Sequence, residues 1–300
     1  MNADRTTLKG RIESGKPVVT VELSPSRDAS TDALKAAANK LKGVVHALGV
    51  SDNRTHIGVS SLAASSIISS LGVDPIMHMV TRDRNRVALL SDVLGARAIG
   101  IPNLLVTSGT HQTLGSFRAS KNVFDLDAVQ LLKECSGNGT ILESGAAGNS
   151  LCLGATASPF ADPAELQIMR LVKKVSMGAM FVITQPIYDT DRFGDWWKLV
   201  AAKGIHEKTA VIAGIKPLLS AEATREAVSK RPDPRIPEAI SKRLLAKSDK
   251  AAARAEGIAV AVETIDRLRS LKGIRGFDIL SEGDPDAAQE IIDKSGLGSV

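Results

Sequence analysis

The residues best able to do chemistry are polar side chains standing where apolar runs end. Glu22 lies inside PVVTVEL (17–23), and an ionised carboxylate without a partner is costly to bury in such a strand. If it lines a pocket, desolvation raises its pKa and suits it to give a proton near neutrality. The alternative is a pairing with Arg27 or Lys16 at a rim. A second signal is GAMFVITQPIY (178–188), an apolar run that ends in Thr184-Gln185-Pro186. Proline cannot donate to a sheet ladder, so the strand is expected to stop there with Gln185 at its carboxyl edge. Gln185 then either reads a substrate or satisfies nearby loop backbone. His78, between Met77 and Met79, is either a satisfied core residue or a ligand. TRDRNR (81–86) is the densest cationic cluster, suited to phosphate or an anionic tail, or to capping the helix that follows. Ser108-Gly109-Thr110 permits close backbone approach to a ligand.

Composition narrows the classes. The chain has 300 residues, enough for one barrel-sized domain or two smaller ones. Charged residues at 24% and hydrophobic ones at 43% are ordinary for a soluble globular protein. Aromatics at 3% argue against a stacking platform for single-stranded nucleic acid. The net charge of +5 is spread along the chain, which favours an anionic small ligand over nucleic acid. Cys135 and Cys152 lack CxxC or metal-ligand spacing and read as buried free thiols of a reducing compartment. The histidines (46, 56, 78, 111 and 206) form no close metal pair, so no metal is expected. MNADRTTLKGRIESGKP lacks the apolar core of a signal peptide. No apolar run approaches the ~20 residues that span a bilayer. The expected location is cytoplasmic, with no membrane span.

These residues need elements to position them. Apolar runs predict strands over 17–23, 44–50, 75–80, 103–107, 150–155, 178–188, 210–215 and 274–280. Between them, helical periodicity predicts helices over 30–42, 60–71, 85–94, 127–133, 164–177, 191–202 and 221–230. Ser30 or Thr31 is the expected cap of the first of these. In 164–177, Leu166, Met169, Val172 and Val175 recur at helical spacing. A short helix over 6–14 leads the chain and 285–294 closes it. A Gly/Ser/Asn-rich loop occupies 136–148, and the Pro-rich turn RPDPRIP (231–237) precedes two further helices, 237–246 and 251–271. Eight strand–helix alternations predict an α/β fold, a (β/α)8 TIM-type barrel with extra helices before the last strand. It is expected to form a single domain over 1–300, with a doubly wound open sheet as the alternative. In either, ligands gather at the carboxyl ends of the strands. No Gly-rich phosphate fingerprint precedes a helix, and no solenoid repeat is visible.

Taken in order, the segments resemble the methylenetetrahydrofolate reductase family from roughly Pro17 to Leu297. The resemblance is carried by VTVELSPS (19–26), VSDN (50–53), SSLAAS (60–65), MHMVTRDRNR (77–86) and DVLGARAIGIPNLLVTSG (92–109). VFDLDAVQLLK (123–133), ATASPFADPAEL (155–166), ITQPIYD (183–189), GIKPLLS (214–220) and RIPEAI (235–240) continue it. It implies a (β/α)8 barrel that holds FAD at its carboxyl face and passes a hydride to the methylene carbon of folate. By this resemblance Glu22 is the general acid that protonates the folate nitrogen released on ring opening, and Gln185 hydrogen-bonds the pterin. His78, Ser108, Gly109 and Lys174 match flavin contacts. Asp52 and Asn53 lie in the loop bordering the flavin, and Ser158 and Asp162 fall where other contacts do.

The chain departs from the family at Thr110, where Gly-Asp is usual after the fourth strand. Thr110 is thereby placed beside both flavin and folate. A carboxylate about 4 Å from a developing cation is worth roughly 4 kcal/mol at an effective dielectric near 20, and a neutral hydroxyl does not supply that. The expected function is a flavin-mediated reductase of 5,10-methylenetetrahydrofolate or a related pterin, drawing electrons from NADH, NADPH or a partner subunit. The expected assembly is a homo-oligomer. The alternative is a non-catalytic or flavin-free family member that binds folate or joins a C1-metabolism complex. A pterin-dependent methyltransferase on the same barrel fits less well, because no corrinoid or thiolate–zinc motif is present.

Overall fold

The computed structural model describes residues 7–54, 56–115, 117–141, 151–229, 236–247, 249–281 and 283–298. Its apolar runs form the strands β1 (Val18–Leu23), β2 (Ala47–Val50), β3 (Pro75–Val80), β4 (Asn103–Thr107), β5 (Cys152–Ala157), β6 (Phe181–Pro186), β7 (Ala210–Ile215) and β8 (Ile274–Leu280). Each pairs in parallel with its neighbour in sequence, and β8 returns to β1, which closes the barrel and excludes the open sheet. The closing register sets Thr20 opposite Asp278 and Glu22 opposite Leu280.

Helices cover the outside. α1 (Leu8–Glu13) precedes β1, and α2 (Asp32–Leu41), α3 (Ser61–Ser70) and α4 (Arg86–Ala98) follow the first three strands. α5 (Ala128–Lys133) comes after β4, and α6 (Ala164–Ser176) after β5. α7 (Thr190–Ala202) and α8 (Ile205–Lys208) fill the β6–β7 crossover. α9 (Ala221–Ser229), α10 (Glu238–Leu245) and α11 (Lys250–Arg269) lie between β7 and β8, and α12 (Pro285–Ser295) comes last. The expected extra helices are therefore present. They enclose a satellite core of Tyr188, Leu218, Leu244 and Val260.

Strands covered on one side by helices and on the other by the barrel interior bury both faces, which is why they read as continuous apolar runs. The interior set includes Val18, Ala47, Ile76, Leu105, Phe181 and Ile212. α1 closes its amino end by inserting Leu8 and Ile12 into that set, and the Leu8 N–H donates to Asp74 Oδ2 at 3.1 Å. Side chains alternate along a strand, so positions two and four residues beyond this apolar floor face inward too. Thr20 and Glu22 rise from Val18, Gly49 from Ala47, and His78 from Ile76. Polar groups thus occupy the upper half of an interior whose lower half is oil.

Several local features differ from expectation. β6 ends at Pro186 as expected, but its pairing with β7 shifts between Ile183 and Pro186, and Ile187 N–H still donates to the Gly214 carbonyl at 3.0 Å. Proline is tolerated because the irregularity asks no ladder donor of it. Thr31 is the N-cap residue of α2 but makes no side-chain capping bond. In α6 the buried residues are Ile168 and Leu171, whereas Leu166, Met169 and Val172 are exposed, Met169 to 57%. Helical spacing located that helix but not the side it packs with. The residues 142–150 and 230–235, which hold most of the Gly/Ser-rich loop and of the Pro-rich turn, lie outside the described residues.

Candidate active site

Glu22 stands near the carboxyl end of β1 with its side chain 12% exposed. Its partner is neither Arg27 nor Lys16. Arg54, in the loop after β2, donates from Nη1 to Glu22 Oε1 at 2.7 Å. Burial pushes the carboxyl pKa up, but Arg54, with His78 and Lys216 adding to it, outweighs burial and holds the pKa below the ordinary value. The expected upward shift is therefore reversed in this arrangement. The physical reason is a guanidinium in hydrogen-bond contact, which favours the ionised form.

His78 Nδ1 lies 3.8 Å from Glu22 Oε2, and Nε2 is buried without a hydrogen-bond partner. Burial lowers the imidazole pKa, and Arg54 adds to this against the pull of Glu22. Burial thus favours the neutral ring over an imidazolium paired with Glu22. Gly49 makes the room: a Cβ there would fall 2.9 Å from His78 Nε2 and 3.5 Å from Glu22 Cα. His78 is thus neither a fully satisfied core residue nor freely accessible.

Asp278, across the β1–β8 seam, completes the group. Thr20 donates its hydroxyl to Asp278 Oδ1 at 2.6 Å, while Oδ2 is buried without a partner. Burial, reinforced by the negative charge of Glu22, raises this carboxyl to about 7. Two interior carboxyls are therefore driven apart, one toward the ionised form by Arg54 and one toward the neutral form by its surroundings.

The rim is built from residues that bind one another. Asp52 accepts the Val80 N–H at 2.9 Å and is paired with Arg84. Burial nevertheless outweighs these partners and raises its pKa. Asn53 adopts a left-handed backbone (φ 46°) and accepts the Gly58 N–H on Oδ1 at 3.3 Å. The cationic cluster is neutralised at close range. Arg82 binds Asp83 and the Thr110 carbonyl, Arg84 binds Asp52 and Asp92, and Arg86 binds Asp125. Asn85 caps α4 through Ala88 N–H, so the capping alternative describes what this segment does. Gly109 has φ +80°, and a Cβ there would meet Val80 Cγ1 at 2.6 Å. The close approach it allows is to its own chain. Ser108 is half-buried and Thr110 exposed, with the Thr110 carbonyl held by Arg82 at 2.9 Å.

On the far side, Gln185 is half-buried at the end of β6 and makes no side-chain hydrogen bond among the described residues. Thr184 does the backbone work, accepting the Gly214 N–H at 2.9 Å across the irregular step. Lys174, on α6, donates to the Thr156 carbonyl of β5 at 2.6 Å, and burial, with Arg170 adding, lowers its pKa to about 8. Ser158 is half-buried, and Asp162 pairs with Arg192 at 3.3 Å.

The fold thus gathers Glu22 and His78 tightly, with Gln185, Ser108 and Thr110 at strand ends of the same face. Lys174 is set behind β5. Two residues escaped the sequence reading. Asp278 carries the signal used for Glu22, a carboxylate inside an apolar strand (IRGFDIL). Arg54 has only the weak signal of a base just past a strand end. Among the described residues no His, Cys, Asp and Glu cluster could hold a metal ion, and no helix is long and apolar enough to cross a membrane.

Comparison with known proteins adds to this geometry. The family model for methylenetetrahydrofolate reductase matches residues 7–296. A Caenorhabditis elegans protein named probable methylenetetrahydrofolate reductase (NADPH) is 29% identical over 191 residues, 60% of this chain and 26% of that one. The match therefore spans about a quarter of that relative. Among solved structures, an uncharacterised Clostridium thermocellum protein that binds two copies of 5-methyl-5,6,7,8-tetrahydrofolic acid superposes with a TM-score of 0.68. The identity is 14%, and the match covers 97% of this chain and 99% of that one. An oxaloacetate acetylhydrolase superposes at 0.55 with 10% identity, over 99% and 88% of the two chains. At those identities the likeness shows the barrel and nothing finer.

Proposed function

The chain belongs to the methylenetetrahydrofolate reductase family, and from that premise we propose that it is an oxidoreductase acting on 5,10-methylenetetrahydrofolate or a related reduced pterin. The observation that carries this reading is Glu22, a carboxyl rising from an apolar floor to the carboxyl mouth of the barrel. A protein that only bound folate would have no need of a proton donor there. In the proposed reaction Glu22 protonates the nitrogen released as the five-membered ring opens. The remaining iminium accepts a hydride at its methylene carbon and becomes the 5-methyl group. Glu22 is left as a carboxylate and regains its proton from solvent. Gln185, half-buried at a strand end, is assigned to the polar edge of the pterin.

The family implies FAD, and the residues matched to it can be tested against their surroundings. Asp52, Asn53 and Lys174 spend their polar groups on their own chain, and Gly109 packs on Val80. As placed these four do not form a flavin cradle, whereas His78 keeps an unpartnered Nε2, and no step is written through a flavin. The hydride is assigned to NADH or NADPH, a donor class consistent with the name of the nematode relative. A cytoplasmic location, a homo-oligomeric state and an electron-donating partner subunit remain proposals. The non-catalytic alternative draws on one observation, the engagement of Glu22 by Arg54.

The test is formation of the 5-methyl product from methylenetetrahydrofolate and NADH or NADPH, with and without added FAD. The visible spectrum of the protein is recorded alongside. Glu22→Gln should lower turnover by about a hundredfold or more while folate still binds. Full activity in that variant removes Glu22 from the mechanism. No product with either donor, FAD present or absent, overturns the reductase reading.

A further inference from the structure

The contact that depresses the Glu22 pKa is at odds with a proton-donating role. A donor must carry its proton, and a carboxylate bound by a guanidinium at 2.7 Å does not. The loop bearing Arg54 is fastened to the exit of β1: Val59 N–H donates to the Ser26 carbonyl at 3.0 Å, and His56 Nε2 contacts the Pro25 carbonyl at 2.8 Å. A Cβ on Gly58 would meet those same two carbonyls within 3 Å. The backbone is therefore braced while the Arg54 side chain, 36% exposed, reaches in from solvent. Around its base is a small polar recess of about 10 Å³ bordered by Ser51, Asn53, Arg54 and His56.

We propose that Arg54 is a positioning residue that acts as a ligand-released latch on Glu22. In the free protein its guanidinium ties down the carboxylate. When a reduced folate enters, the anionic carboxylate of its glutamate tail draws the half-exposed guanidinium off Glu22, and Glu22 takes up a proton from solvent. This rests on the reductase reading and deepens it, since proton donation is then confined to the complex with a tailed substrate. Chemistry allows the exchange because Arg54 holds Glu22 from Nη1 to Oε1, and a guanidinium can bind a substrate carboxylate bidentately. The other groups facing Glu22 do not substitute for Arg54. Burial disfavours the charged form of His78 on β3, Asp278 on β8 carries no positive charge, and Lys216 after β7 acts only at range.

The test titrates Glu22 itself, by the carbon-13 carboxyl signal of labelled glutamate that disappears in Glu22→Gln. Arg54→Met should raise the midpoint by at least about one pH unit, a tenfold change in proton affinity. Arg54→Lys should keep most of the wild-type value, which separates lost charge from loop damage. Saturating 5-methyltetrahydrofolate should raise the wild-type midpoint comparably, and a tetrahydropterin without the carboxylate tail should not. An unmoved midpoint with folate bound, an equal shift from the tailless pterin, or an unmoved midpoint in Arg54→Met each overturns the latch while leaving reductase activity to stand. Failure of the folate to bind takes down latch and reductase together.

Discussion

Asp278→Asn should make the protein more stable above neutrality and change it little in acid. The carboxyl is 1% exposed, and its pKa rises from 3.8 to about 7 on folding. Each pH unit of difference corresponds to about 1.4 kcal/mol. The folded state binds the extra proton between those two values, so stability is full below the unfolded pKa and is lost as pH rises through about 7. The loss approaches about 4 kcal/mol. Coupling to Glu22 and local relaxation reduce this to about 2 to 4 kcal/mol for the variant's advantage in alkali. Asparagine copies the neutral acid in shape, still accepts the Thr20 hydroxyl, and leaves the same second polar atom to be satisfied. The cost of that orphan therefore cancels in acid. The assay is urea unfolding of both proteins at about pH 3, below the unfolded pKa, and at about pH 8.5. The variant's midpoint should lead clearly at the higher pH and converge at the lower. Curves that run parallel across the range would refute a neutral buried Asp278. Glu22→Gln should recover only part of the same gain, because burial is the larger cause and Glu22 the smaller.

Three further outcomes follow from the site. Gln185→Ala should weaken folate binding roughly tenfold, about one lost hydrogen bond, with the unfolding midpoint unchanged. Equal affinity in a titration would show that Gln185 does not meet the pterin. Gly49→Ala sets a methyl 2.9 Å from His78 Nε2, and should cost about 1–3 kcal/mol by overpacking while slowing turnover; a urea curve and a rate that both match wild type would place His78 outside the constraint. Thr110→Asp should restore a charge beside the developing iminium and speed single-turnover methyl formation by about tenfold, the full Coulomb value being reduced by exposure; a slower rate would mean that the mouth is built around a neutral residue.

The sequence by itself determined the periodicities, and through them the architecture. Buried parallel strands are apolar on both faces, and eight such runs alternating with helices leave few ways to pack. The same logic exposed Glu22, because a carboxylate in an apolar strand is conspicuous in one dimension. Applied to IRGFDIL it also marks Asp278. The family resemblance then implied roles that no pattern could, such as a pterin contact for Gln185, which remains a proposal.

What the tertiary structure decided was partnership. Closure of the barrel sets β8 beside β1, joining residues more than 250 positions apart: Thr20 and Asp278. Arg54 reaches Glu22 from another loop because β1 and β2 are neighbours in that closed sheet. A pKa is a sum over nearby charges and lost solvent, and neither quantity is local in sequence. Hence burial of Glu22 was foreseeable, but the sign of its shift was not. The cluster at 81–86 looked like a cationic site until its arginines met Asp52, Asp83, Asp92 and Asp125. In α6 the spacing of apolar residues was legible, yet Met169 faces outward, because which side of a helix packs is settled by the sheet beneath it.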